Sequence, residues 1–197
     1  MNKKLTGFIL AGGKSSRMGT DKGLLPVDGE AMVQRIALAM NPVVDKINII
    51  SNGDNYNYLG HKVYEDLIKD CGPLGGIYTA LMKSDTDQNL IVSCDMPFLR
   101  VELFDLLIKS ISSDHEITIP QFNDQPEPLC AIYNKSCAPK MYDLLIKKEF
   151  KLKEVLKQFK LGVIDINVHA ELEDCFTNVN TPVDYQNVKF NKGEYSN

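Results

Sequence analysis

The chain has no tryptophan, and its five cysteines (Cys71, Cys94, Cys130, Cys137 and Cys175) include no C-x-x-C pair. The three histidines (His61, His115 and His169) make no H-x-x-H and no Cys/His cluster, so structural zinc and a disulfide framework are both excluded as expectations. Positive charge is also not in excess: 22 basic against 26 acidic residues leave a net charge of −4. A surface of that balance offers no field of the kind that tracks nucleic acid, and any anion site must be local. Long hydrophobic runs are missing too. The first apolar stretch breaks at Gly12-Gly13-Lys14, too short for a bilayer span and without a clean cleavage pattern, which points to the reducing cytoplasm and to no membrane partner. No repeat or low-complexity tract occurs, and only residues 187–197, with Lys189, Lys192 and Gly193, read as a frayed tail.

What is present is the material of one globular domain over residues 1–197: 44% hydrophobic residues fill one core and 24% charged residues cover an ordinary surface. Short apolar runs suited to buried strands lie at residues 5–10, 46–50, 62–64, 89–93 and 116–119, with further strands at 129–133 and 163–166. Between them run helical patterns. Met32, Ile36, Ala39 and Met40 share a face; so do Leu103, Leu106, Leu107 and the stem of Lys109, and so do Met141, Leu144 and Leu145. Met18, Met32, Met40, Met82 and Met141 are expected to fill packing gaps. Such alternation specifies an α/β fold, a three-layer α/β/α sandwich with a mainly parallel sheet. Ligands of these sheets gather beyond the carboxyl ends of the strands, so the loops following strands carry the chemistry.

The strongest such loop follows the first strand: Leu10-Ala11-Gly12-Gly13-Lys14-Ser15-Ser16-Arg17-Met18-Gly19-Thr20-Asp21-Lys22. Adjacent glycines let backbone N–H groups turn toward a phosphate without obstruction by Cβ. Lys14, Arg17 and Lys22 repel one another unless a polyanion fills the gap between them. The string is neither a P-loop nor a G-x-G-x-x-G fingerprint, because Lys14 stands where a glycine is required. Asp95, in Cys94-Asp95 past the carboxyl end of the strand core Leu90-Ile91-Val92, places a hard oxygen where triphosphate-bound magnesium would lie; the competing reading is a helix cap before Met96-Pro97. Gly72-Pro73-Leu74-Gly75-Gly76 reads on composition as a tight start to the helix around residues 77–82.

These segments together resemble nucleotidyltransferases of the nucleotide-diphospho-sugar transferase (Rossmann-like) fold, and among them the molybdenum cofactor guanylyltransferase family. The likeness covers nearly the whole chain, through Asp21-Lys22-Gly23, Glu65-Asp66, Gly72-Pro73-Leu74-Gly75-Gly76, Cys94-Asp95-Met96-Pro97-Phe98, Pro128-Leu129 and Asn178-Val179-Asn180-Thr181-Pro182. It implies that Leu10, Ala11, Gly12, Gly13 and Lys22 bind GTP, that Arg17 lies beside the phosphates, and that Asn52 and Asp66 surround the nucleoside. It further implies that Asp95 binds Mg2+ and, with Arg17 and Lys22, forms the catalytic set, and that Asn178 and Asn180 bind molybdopterin. The implied reaction is GMP transfer from Mg-GTP to the terminal phosphate of Mo-molybdopterin, with molybdenum-insertion proteins or recipient molybdoenzymes as further partners. From the residues alone, Asn180 and Thr181 are equally natural caps of a short terminal helix, and Asn52 and Asp66 equally natural turn or cap residues. The alternatives are a cytidylyltransferase acting on molybdopterin or a sugar-like alcohol, and a non-catalytic nucleotide-sensing module.

Overall fold

The computed structural model describes residues 4–11 and 21–190. All six residues of β1 (Leu5–Leu10) are buried, as a strand covered on both faces must be. In chain order there follow β2 (Pro26–Val27), β3 (Glu30–Ala31), α1 (Met32–Met40), β4 (Lys46–Ile50), β5 (Lys62–Tyr64), α2 (Gly72–Lys83), β6 (Gln88–Ser93) and α3 (Val101–Lys109). Then come β7 (Ile117–Phe122), β8 (Gln125–Pro126), β9 (Cys130–Asn134), α4 (Ala138–Ile146), α5 (Leu152–Leu156), β10 (Leu161–Asp165) and α6 (Pro182–Phe190). The described residues form an eight-stranded sheet in the order β10-β7-β9-β6-β1-β4-β5, with β8 paired to β7, beside the small hairpin β2-β3.

Pairing is parallel for β1 with β4 and β6, for β4 with β5 and for β10 with β7. β9 runs antiparallel to both β6 and β7. The reason lies in the connection: Asn123 and Asp124 turn the chain with φ of 50° and 58°, and the few residues between β7 and β9 leave no room for a crossover helix. The sequence reading found the seven longer strands of the main sheet, shifting the ends of four, and did not find β2, β3 or β8; β7 continues through Pro120, whose carbonyl accepts the Glu127 N–H at 3.0 Å.

Alternation along the strands sorts the core into two layers. Leu5, Ile9, Leu90, Val92 and Ile132 meet α1 and α3 through Val33, Ile36, Met40, Leu103, Phe104 and Leu107. Phe8, Ile91, Ala131 and Tyr133 meet α2, α4 and α5 on the opposite face. The three-layer α/β/α sandwich is therefore as expected. Two finer expectations fail. Met82 is 48% exposed, because the buried stripe of α2 is set by Leu74, Ile77 and Leu81 and leaves its neighbour on the solvent side. Residues 187–190 are helical rather than frayed, being the last turn of α6; residues 191–197 lie outside the described residues. All five cysteines are free and buried.

Candidate active site at the carboxyl edge of the sheet

The ends of the central strands are joined past their last ladder pairs. Ala11 N–H donates to the Ile50 carbonyl at 2.9 Å and Cys94 N–H to the Leu10 carbonyl at 3.1 Å, while Ser51 N–H donates to Tyr64 at 2.9 Å. Leu10 and Ala11, Asn52, Asp66 and Asp95 thus follow neighbouring strands along one edge. Gly76, in the first turns of α2, is part of the same wall: a Cβ there would lie 3.2 Å from the Leu10 side chain. The proposed phosphate-loop residues Gly12, Gly13, Lys14 and Arg17 lie outside the described residues.

Lys22 enters the edge on a single 3-10 turn, Lys22–Leu24, capped by Asp21. Asp21 Oδ1 accepts the Gly23 N–H at 3.2 Å and also the hydroxyl of Tyr56, while Oδ2 accepts from Asn55 Nδ2 at 3.4 Å. Tyr56 is fully buried, and burial followed by its bond to Asp21 pushes its hydroxyl far above the ordinary tyrosine value. Gly23 rests against the ring, where a Cβ would sit 3.2 Å from two ring carbons, so the turn has no space to shift. From this mount Lys22 Nζ reaches Asn180 Oδ1 at 3.0 Å.

The cap of α6 belongs to Thr181 and Asp184, not to Asn180. Thr181 Oγ1 accepts the Asp184 N–H at 3.1 Å, and Asp184 Oδ2 accepts the N–H groups of Asn180 at 2.9 Å and Thr181 at 2.7 Å. Those bonds hold the Asp184 carboxyl below its ordinary value, the Asn180 N–H contributing most. The Asn180 side chain is thereby left to meet Lys22.

Asn52 and Asp66 bind each other reciprocally: Asn52 Nδ2 donates to Asp66 Oδ2 at 2.8 Å, and Asp66 N–H to Asn52 Oδ1 at 3.1 Å. Asp66 Oδ1 is buried with no protein partner. Burial raises the Asp66 carboxyl above its usual value, opposed by the Asn52 bond and by Lys69.

Asp95 is no helix cap, since α3 starts only at Val101 with Arg100 before it. Its carbonyl accepts the Val179 N–H at 2.8 Å, which ties the end of β6 to the segment carrying Asn178 and Asn180. Glu127, just before β9, lies close enough for the Asp95 charge to help raise its carboxyl, a shift caused first by burial and opposed by the N–H of Leu129 and the side chain of Asn178. Among the described residues no group of three or more His, Cys, Asp or Glu could hold a metal ion. One carboxylate together with phosphate oxygens of a substrate is a common environment for magnesium. Sequence reasoning missed the roles of Asp21, Tyr56 and Glu127; Glu127, a lone charge between Pro126 and Pro128 ahead of an apolar run, was the visible signal.

A mainly parallel α/β/α sandwich with this edge is that of a nucleotidyltransferase. The chain belongs to the MobA-like NTP transferase domain family, whose model matches residues 7–163. It is 37% identical over 186 residues to a protein of Flavobacterium johnsoniae named as a probable molybdenum cofactor guanylyltransferase, covering 89% of this chain and 98% of that one. A protein of the same name from Clostridium perfringens is 37% identical over 191 residues, 94% of this chain and 96% of the relative. The fold is shared with the crystal structure of molybdopterin-guanine dinucleotide biosynthesis protein A from Archaeoglobus fulgidus, at a TM-score of 0.81 and 20% identity over 96% of this chain and 99% of that one.

Proposed function

We propose that this chain is a molybdenum cofactor guanylyltransferase, moving GMP from Mg-GTP to the terminal phosphate of Mo-molybdopterin. The observation that carries the reading is the Lys22–Asn180 bond, which joins the turn after the glycine loop to the C-terminal loop beside Asp95. One cation there can serve both a triphosphate and an incoming phosphate. An oxygen of the acceptor phosphate forms the bond to the α-phosphorus of GTP, the bond from that phosphorus to the bridging oxygen breaks, and pyrophosphate leaves. The acceptor is already anionic, so no general base is needed, and positioning with charge neutralisation suffices. Lys22, with Arg17 and Lys14 of the preceding loop, offsets charge on the triphosphate. Asp95 would hold Mg2+ together with the phosphates, and the bound ion would supply further charge neutralisation at the α-phosphate.

For the base, the buried and unpartnered Asp66 Oδ1 suits the N–H donors of guanine, and a site built to accept them disfavours cytosine. Leu10, Ala11, Gly12 and Gly13 would line the nucleoside and phosphates, and Asn178 and Asn180 the molybdopterin. Among the described residues no helix is long and apolar enough to cross a membrane. The five free thiols support a reducing compartment such as the cytoplasm. The deciding experiment measures pyrophosphate release with each of the four nucleotides, with and without molybdopterin. Release with GTP that requires the acceptor is expected; a preference for CTP makes the chain a cytidylyltransferase, and binding without release under any condition makes it a sensing module.

A further inference from the structure

We propose that Thr79, within α2, is a positioning residue for nucleotide choice: its hydroxyl fixes the backbone that carries Asp66, and so decides how firmly the Asp66 carboxylate discriminates one base from another. The proposal rests on the reading that Asp66 meets the base of GTP. The Thr79 side chain is fully buried and makes two hydrogen bonds. Its Oγ1 accepts the Leu67 N–H at 3.0 Å and donates to the Gly75 carbonyl at 2.8 Å. A hydroxyl has a single hydrogen, so with that hydrogen given to Gly75, one turn back in the helix, the lone pair facing Leu67 is held in place.

The Leu67 N–H belongs to the planar peptide that starts at the Asp66 carbonyl, so this bond holds ψ of Asp66. The bond on the other side, Asp66 N–H to Asn52 Oδ1 at 3.1 Å, holds φ. With both dihedrals held, the Cα–Cβ direction is set, and Asn52 Nδ2 on Asp66 Oδ2 at 2.8 Å sets the rotation of the carboxyl. Oδ1 is the oxygen left over, buried and without a protein partner. Burial of Leu67 does not supply this anchorage, because its side chain is 47% exposed. The helix does: a Cβ on Gly75 would lie 3.0 Å from the Ile68 carbonyl oxygen and 3.1 Å from Cys71 Cβ, so α2 lies directly against the segment that follows Asp66. A base edge with N–H donors gains most from an acceptor already in place, and an acceptor free to swing away loses its power to reject a base that presents the wrong group. Thr79 thus acts on base choice without touching the base.

The test measures affinities of the full chain for GTP, CTP and inorganic tripolyphosphate. Thr79→Val keeps the shape of the side chain and removes both hydrogen bonds, whereas Thr79→Ser keeps the bonds. GTP affinity should fall about tenfold in Thr79→Val while CTP and tripolyphosphate change less than about twofold, and Thr79→Ser should stay within about twofold of the wild type for all three. Adding Thr79→Val to Asp66→Ala should cost nothing further in GTP affinity. Unchanged GTP affinity in Thr79→Val, an equal loss for all three ligands, a loss in Thr79→Ser as large as in Thr79→Val, or additivity with Asp66→Ala overturns the proposal.

A second readout needs no ligand. The Leu67 amide should exchange its hydrogen slowly in the wild type and in Thr79→Ser and lose that protection in Thr79→Val; free exchange in the wild type overturns the proposal. A wild type that binds GTP no better than CTP refutes the reading of Asp66 as the base contact, and the proposal with it, whereas a preference for GTP that survives Thr79→Val refutes the role of Thr79 alone. If Thr79→Val does not fold, Gly75→Ala decides. Alanine suits a helix better than glycine, and its Cβ pushes the Ile68 carbonyl away from α2, so the preference for GTP over CTP should fall; an unchanged preference overturns the proposal.

Discussion

Tyr56 donates its buried hydroxyl to Asp21, 35 residues away in the chain, and Asp21 immediately precedes Lys22. A residue that never reaches the open edge thus sets where the edge's cation stands. Removing the hydroxyl leaves Asp21 short of a partner and frees the turn that carries Lys22.

Tyr56→Phe should lower stability by about 2 kcal/mol, the usual loss for a buried bond to a charged acceptor. GTP KM should rise several-fold while kcat changes less, because the loss is in placement of Lys22. Thermal melts and steady-state kinetics test this, and an unchanged GTP KM would show that Tyr56 serves packing alone.

Lys22→Ala should weaken GTP far more than guanosine, since the missing contact is with phosphate charge. Its bond to Asn180 adds a second expectation. In a cycle with Asn180→Ala, the effects on acceptor KM should fall short of additive by about 0.5–1 kcal/mol, in the range for residues in direct contact. Strict additivity would separate the two side chains functionally.

Asp95→Asn should preserve the fold and reduce turnover at least about a hundredfold, because a divalent cation supplies several kcal/mol of transition-state stabilisation. Circular dichroism and pyrophosphate release at saturating Mg2+ are the measurements. Near-normal turnover would remove Asp95 from the chemistry.

Asp66 carries an expectation in pH. Its folded carboxyl holds its proton more tightly than the unfolded value of 3.8, owing first to burial. Between 3.8 and that raised value the native state binds more protons than the unfolded chain, so this group's contribution falls as pH rises through the window and then stays low. Asp66→Asn should therefore match or exceed the wild type in Tm at pH 7, and the difference should narrow as pH drops below the window. The same variant should lose discrimination between GTP and CTP. A variant less stable at pH 7 than at pH 4, relative to wild type, would contradict the burial account.

Much of this was legible in the amino-acid order because buried parallel strands announce themselves as apolar runs. Leu5–Leu10 and Lys46–Ile50 were read to the residue, and Asp95 stood out as the carboxylate after Leu90-Ile91-Val92. The loop at residues 51–60 was opaque, because polar residues without periodicity give no cue that Tyr56 alone among them turns fully inward. Glu127 was hidden by direction. The rule of looking after strands assumes every strand points the same way, and β9 does not.

That reversal has a consequence for how the protein can change. A strand running backward delivers the chain ahead of it to the carboxyl edge, so residues 123–129 arrive beside Asp95 from a different part of the sequence than the loops after β1, β4 and β5. The half of the edge proposed for the nucleotide and the half nearer Asn178 are thus separate inheritances. On the proposed reading, an exchange of the short link between β7 and β9 would act on the acceptor side of the edge, while the order and register of β1, β4 and β5 would be kept.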